Sequence, residues 1–289
     1  MSSIAKILAP VDFSPPSEGA VRLAQALIAP LGCNLTLLHV LEPTEFQYSP
    51  IQIPPERLDE LLTGASRKAR EQLERFPENE TGCPNTHRMV LKGDPAEQIL
   101  LCAHSDAFDL IVMPTHGYDP IRRFLLGSVT SKVLYGADVP VLTGVHFEKY
   151  TTGAFRPRHI VCGLDCGPHS ARVLEWATEL AESLGAELTV VHSTPEIGGS
   201  TGDLHQPDWQ VQAHQRLREQ IATLQSKADK KAEVVIASGE PHKALRDAVL
   251  RLNADLLVIG RGSAEGPWGR LRAHAYAIIR ASPCPVVSV

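Results

Sequence analysis

The chain repeats itself, and that repeat constrains its fold more than any other feature. Ile7-Leu8-Ala9-Pro10-Val11-Asp12 stands 153 positions before Ile160-Val161-Cys162-Gly163-Leu164-Asp165. The same offset pairs Pro15 with Pro168, Ser17 with Ser170, Leu31-Gly32 with Leu184-Gly185, Leu35-Thr36 with Leu188-Thr189 and His39 with His192. A second block aligns at 146: Gly93-Asp94-Pro95 with Gly239-Glu240-Pro241, and Asp109-Leu110-Ile111-Val112 with Asp255-Leu256-Leu257-Val258. Pro140-Val141 meets Pro285-Val286 at 145. The second half is therefore seven residues shorter in its middle and one shorter near its end. A period this long means two duplicated domains rather than a solenoid of small units. The 289 residues agree, at roughly 100–200 residues per domain. The expected domains are residues 1–147 and 157–289, joined by the polar stretch Glu148–Arg158 read as a linker.

Each half alternates short apolar β-rich runs with amphipathic helical segments. Lys6–Val11 reads as a buried strand. Ser14 then caps a helix with Pro15 in its first turn, and Gly32 ends it. Leu35–Val40, Thr86–Leu91, Leu110–Met113 and Val139–Val145 read as strands. Glu56–Phe76, a segment opened by the Asp94 cap with Pro95, and Ser128–Tyr135 read as helices. Alternation of this kind implies an α/β fold with a parallel sheet covered by helices on both faces.

Composition bounds the function. A formal charge of −5 gives no electrostatic footprint for nucleic acid. No apolar stretch reaches the roughly 18 residues of a membrane helix, and the first residues carry no apolar leader pattern, so a cytoplasmic protein is expected. The six scattered cysteines read as reduced thiols. Cys162 and Cys166, with His159 and His169 nearby, straddle a strand end without a counterpart in the first half and do not read as a metal site. No P-loop and no nucleophile elbow is present.

Ligands of open α/β sheets bind beyond the carboxyl ends of the strands. Two loops belong there: Pro10-Val11-Asp12-Phe13-Ser14 after the first strand, and Met113-Pro114-Thr115-His116-Gly117, nine residues, then Gly127-Ser128-Val129 after the fourth. Glycine permits sharp turns and close backbone approach. The start of a helix at Ser128 offers free N–H groups and a positive dipole end to an anion. Asp12 could accept from a base amino group.

On these residues, with His39-Val40 and Val139-Pro140-Val141, each half resembles the universal stress protein family. That family's signature is Gly-x2-Gly-x9-Gly-Ser/Thr. The resemblance implies two Rossmann-like domains, each a five-stranded parallel sheet, whose last strands pair across the domains as an intrachain pseudo-dimer. A further homodimer and an unidentified protein partner are left open. It implies ATP or AMP as ligand, with or without Mg2+. Asp12 and Val40 would lie on the adenine side and Gly117, Gly127, Ser128 and Val129 at ribose and phosphates, with Pro10, Met113 and Thr115 completing the set. Pro114 replaces the first signature glycine and removes an N–H. In the second half Asp165 and Gly260 are kept, with Gly262 and Ser263 as weak counterparts, but Ala273-His274 stands where Gly-Ser is needed and Trp268 enters the loop. One nucleotide per chain is therefore expected. The leading reading is a stress-response binding module. A slow ATPase, with Asp12 or Asp119 as its carboxylate, and a ligand-free interaction scaffold are the rivals.

Overall fold

The computed structural model describes residues 4–42, 55–77, 86–117, 126–145, 147–149, 155–194, 208–227, 231–261 and 270–289. The chain divides into two compact units, Ser3–Arg156 and Pro157–Val289.

The first unit carries β1 (Lys6–Pro10), α1 (Pro15–Leu31), β2 (Asn34–Leu41), α2 (Pro55–Glu74), β3 (Thr86–Lys92), α3 (Pro95–Ser105), β4 (Leu110–Val112), α4 (Ser128–Gly136) and β5 (Val141–Thr143). Its strands lie in the order β3-β2-β1-β4-β5, all parallel. Central β1 is flanked on both edges, with Ile7 opposite Leu35 on one side and Leu110 on the other. Ile7, Leu8 and Ala9 are fully buried, which is why the run is continuously apolar rather than alternating. The order reverses between β1 and β4. Chains leaving these two strands turn to opposite faces, and a crevice opens between them.

The helix boundaries follow local chemistry. Ser14 is the N-cap of α1, its hydroxyl accepting from Ser17 N at 3.3 Å, and Gly32 ends the helix in the left-handed conformation at φ 65°. Asp94 caps α3 by accepting the Glu97 N–H at 3.0 Å. Gly93, with φ 143°, makes the turn into that cap. The last strand is three residues long, shorter than the sequence suggests.

The stretch expected to be a linker, Glu148–Arg158, follows directly on a packed residue. Phe147–Lys149 forms a 3-10 turn, and Phe147 is 1% exposed. Its backbone lies so close to α1 that a Cβ on Gly19 would overlap the Phe147 carbonyl. Phe155 is buried too. Phe147 thus anchors the end of the expected first domain, and Phe155 is a buried residue inside the expected linker.

The second unit repeats the plan with β6 (His159–Gly163), α5 (Ser170–Leu184), β7 (Glu187–Thr194), α6 (Asp208–Lys227), β8 (Glu233–Ser238), α7 (Pro241–Leu252), β9 (Leu256–Ile259), α8 (Arg270–Ala281) and β10 (Val286–Ser288). Its strands run β10-β9-β6-β7-β8, again all parallel. The duplication extends to individual bonds. Asp109 Oδ2 accepts from Ala5 N and Lys6 N at 2.8 and 2.9 Å, and Asp255 Oδ2 from Arg158 N and His159 N at 2.7 and 3.1 Å. In each unit this carboxylate fastens the entry of the first strand to the residue before the fourth. One register differs from the sequence reading. Ala137 N bonds Val133 O, and Ser282 N bonds Ile278 O, each at 2.9 Å. Those bonds align α4 with α8 at an offset of 145, so the single deleted residue falls before α8 and the counterpart of Ser128 is Ala273.

Candidate functional site

The loop after β1 is built on a turn that costs conformational energy. Phe13 has φ 62°, a region that non-glycine residues seldom enter. Two contacts hold it there. Asp12 Oδ1 accepts from Ser14 N at 3.0 Å and from the Ser14 hydroxyl. The Phe13 ring lies 4.5 Å from that of His39, whose Nδ1 is 2.7 Å from Val11 O. Because a carbonyl only accepts, that nitrogen carries the proton.

The loop after β4 stays extended before it turns. Met113 N and Thr115 N donate to Leu142 O and Gly144 O at 3.1 and 3.4 Å. Strand alternation aims the intervening backbone nitrogen the other way, past the end of β1. Proline at position 114 therefore costs no bond of the sheet, while its carbonyl accepts from Thr130 Oγ1 at 2.9 Å. A Cβ on Gly117 would overlap Asp12 Oδ2, so any larger residue there would have to displace that carboxylate. The two loops thus touch at Asp12 and Gly117.

Gly127 corrects one expectation. Its N–H donates to Thr115 O at 2.7 Å and so is not aimed at the crevice. It is the N-cap of α4, with φ −59° and no side-chain cap. Its Cβ position meets nothing closer than 3.4 Å, so the fold itself would accept alanine. The first bond within α4 runs from Ser131 N to Gly127 O at 2.9 Å. The amides of Ser128, Val129 and Thr130 precede it and are the anion-directed donors that a helix start supplies.

These parts enclose a cavity of about 270 Å³. Pro10, Asp12, Val40, Met113, Gly117, Gly127, Ser128 and Val129, all singled out from sequence, line it together with Pro114. Thr115 does not. It is 2% exposed, donates to Gly144 O at 3.3 Å and lies 2.9 Å from His116 Nδ1. Sequence reasoning passed over Leu38, Pro95, Ile99 and Thr130, and named His39 and His116 without giving them a place in the site; all six also line the cavity. Pro95 and Ile99 had a readable signal, since the turn Gly93-Asp94-Pro95 that opens their helix has a counterpart in Gly239-Glu240-Pro241.

Two charged groups flank the wall. Asp94 Oδ2 receives Lys132 Nζ at 2.9 Å while Oδ1 caps α3. The Glu97 N–H, then Lys132, hold the Asp94 carboxyl below the usual carboxylate value, and Asp94 in turn raises the Lys132 ammonium.

The second unit keeps the frame and changes the contents. Asp165 Oδ1 accepts from Gly167 N and Ser170 Oγ at 2.9 and 2.7 Å. Cys166 takes the strained position with φ 57°, and His192 Nδ1 lies 2.8 Å from Leu164 O. Where Pro10 and Ile99 line the first cavity, their counterparts are pressed together. A Cβ on Gly163 would lie 3.0 Å from both methyls of Leu245, and one on Gly260 3.1 Å from a Val173 methyl. Gly262, Ser263 and Trp268 lie outside the described residues, as do Asp119 and residues 47–54. Among the described residues no cluster of three or more His, Cys, Asp or Glu is placed to hold a metal. Burial pushes the Cys162 thiol up to about 12.

Comparison with known proteins converges on one group. The model of the universal stress protein family matches residues 3–143 and again 157–289. A universal stress protein of Mycolicibacterium smegmatis is 25% identical over 98% of this chain and 96% of its own length. One from Methanocaldococcus jannaschii is 32% identical over 47% of this chain and 79% of its own. The crystal structure of a universal stress protein from Archaeoglobus fulgidus superimposes with a TM-score of 0.67, covering 98% of this chain and 95% of that one at 22% identity. That last likeness is one of fold.

Proposed function

Because the chain belongs to the universal stress protein family, carrying the domain twice, we propose that its first half binds an adenine nucleotide, AMP or ATP, in the crevice between β1 and β4. The observation that carries this reading is the convergence of three unlike groups on one cavity: the Asp12 carboxylate, the unpaired start of α4, and an apolar wall of Leu38, Val40, Met113 and Ile99. Each suits one part of a nucleotide. The amides of Ser128 to Thr130 with the Ser128 hydroxyl suit a phosphoryl group. The apolar wall suits a base plane. The Asp12 oxygen that faces Gly117 suits a ribose hydroxyl or an amino group.

The arrangement favours binding over hydrolysis. Asp12 Oδ1 is engaged by the Ser14 amide and hydroxyl, a fixed structural task rather than that of a free base. Any Mg2+ arriving with ATP would be carried largely by the phosphates. The second half would not bind in the same way, since Leu245 fills the floor and Ala273 replaces Ser128. Ligand occupancy in the first half would then serve a stress response by changing conformation or partner.

Calorimetric titration of the intact chain with AMP and with ATP tests this. The expected result is one site per chain. Gly127→Ala, which the fold tolerates, should weaken binding about tenfold by putting a methyl where the ligand backs onto the chain, with the melting temperature unchanged. Two equivalent sites, or no heat with either nucleotide, would overturn the reading.

A further inference from the structure

Lys132 stands one helical turn after Ser128 and on the same face of α4, because residues four apart stack along a helix. Helical side chains lean toward the N-terminus, so its stem carries the ammonium back to the level of the first turn. There Nζ meets Asp94 Oδ2 at 2.9 Å. Asp94 directly precedes Pro95, which is on the cavity wall. Neither Lys132 nor Asp94 lines the cavity itself, but Asp94 adjoins its wall and Lys132 is bonded to Asp94, which puts the ammonium within one residue of Pro95.

The pair is built to exchange. The Lys132 side chain is 61% exposed and that of Asp94 40%. Exposed ion pairs contribute little and are readily given up. Asp94 does not depend on the lysine to stay in place, since its other oxygen is held by the Glu97 N–H at 3.0 Å. Glu42 and Glu97 also favour the charged lysine. The second half has neither member: Glu240 makes no side-chain cap bond at the start of α7, and Ala277 stands at the position of Lys132.

We infer that Lys132 is a phosphoryl-binding residue of the first-half site, for which Asp94 and the ligand's phosphoryl oxygens compete. The inference rests on the nucleotide reading above and extends it. Lysine suits this task as a mobile point charge on a long stem, and the three amides of α4 supply the directional part.

The test compares AMP with adenosine on the intact chain by calorimetry, because the two ligands differ only in the phosphoryl group. Lys132→Met should weaken AMP about tenfold and leave adenosine within about twofold, the scale of one charge-assisted contact. Lys132→Arg should recover most of the AMP affinity. Asp94→Asn, which still caps α3, should release the lysine and tighten AMP about two- to threefold. Equal losses for AMP and adenosine in Lys132→Met would make the lysine a structural strut and overturn the inference. So would unchanged AMP binding, or weaker AMP binding in Asp94→Asn. If the unmodified chain bound neither ligand, the nucleotide reading would fall and this inference with it, an outcome told apart by the flat wild-type titration.

Discussion

The two halves share a skeleton and differ in what occupies it. Both fix the strained residue after the first strand, at Phe13 and at Cys166, with an aspartate that accepts from the next turn. Both bind the ring of a strand-end histidine to the carbonyl of the residue before that aspartate, Val11 or Leu164. Both fasten the first strand to the fourth through Asp109 or Asp255. These shared parts are architecture. Among the described residues, the crevice differs in a few side chains: Ile99 lines a cavity where Leu245 packs against Gly163, and the pair Asp94–Lys132 has only Glu240 and Ala277 as counterparts. Duplication followed by divergence thus separates the residues that the fold keeps in both halves from those that the proposed nucleotide site uses in one.

Substitutions can break or sharpen that contrast. The largest effect is expected at Gly117, where any Cβ overlaps Asp12 Oδ2. Gly117→Val should lower nucleotide affinity by more than about a hundredfold in calorimetry. Binding retained within about tenfold would mean that the two loops need not touch, and the two halves would then be less different than they look.

Gly19 comes next. Its Cβ position is taken by the Phe147 carbonyl, whereas Arg172 occupies the matching place in α5, a side chain far too large for such an approach. Gly19→Ala should destabilise the first half by about 1–3 kcal/mol, a fall of several degrees in the first melting transition. An unchanged melting temperature would show that the 3-10 turn yields easily.

The smallest effect contrasts two caps. Asp94→Ala should cost about 1 kcal/mol of stability, while Glu240→Ala, with no cap bond to lose, should stay within about 0.5 kcal/mol. The sign with pH is fixed. The carboxyl of Asp94 is held below 3.8 in the folded chain, chiefly by the Glu97 N–H. Its contribution is therefore present above that value and disappears as the pH falls through the lower folded value. Denaturant melts should show the gap between wild type and Asp94→Ala closing in acid. A gap that persisted there would assign the effect to packing.

The sequence made the frame readable because local rules wrote it. Ser14, Gly32 and the Gly93-Asp94-Pro95 turn each announce an element boundary through chemistry contained within a few residues. The glycines of the β4 loop pointed to the crevice for the same reason. Other features depend on which strands become neighbours. Asp109 and Asp255 align plainly in the repeat, yet their task is a bond to backbone about one hundred positions away. The occupied N–H of Gly127 is set by Thr115 across the loop, so spacing alone made it look available. The direction of the Thr115 hydroxyl was equally hidden, since it turns to Gly144 after β5. Phe155 was hidden in polar surroundings, where average composition outweighed one buried aromatic residue.

The clasp between Asp109 and the entry of β1 also bears on how the chain is made. Translation adds about 5–20 residues per second, so the first strand leaves the ribosome roughly 5–20 seconds before the carboxylate that fastens it. During that interval β1 has β2 to pair with but an open edge on the side where β4 will lie, an invitation to mispairing. The second half exposes β6 in the same way while the first is already complete. A nascent chain of this design passes twice through the same unguarded moment, and its need for chaperones should peak at two points of synthesis, just ahead of Asp109 and of Asp255.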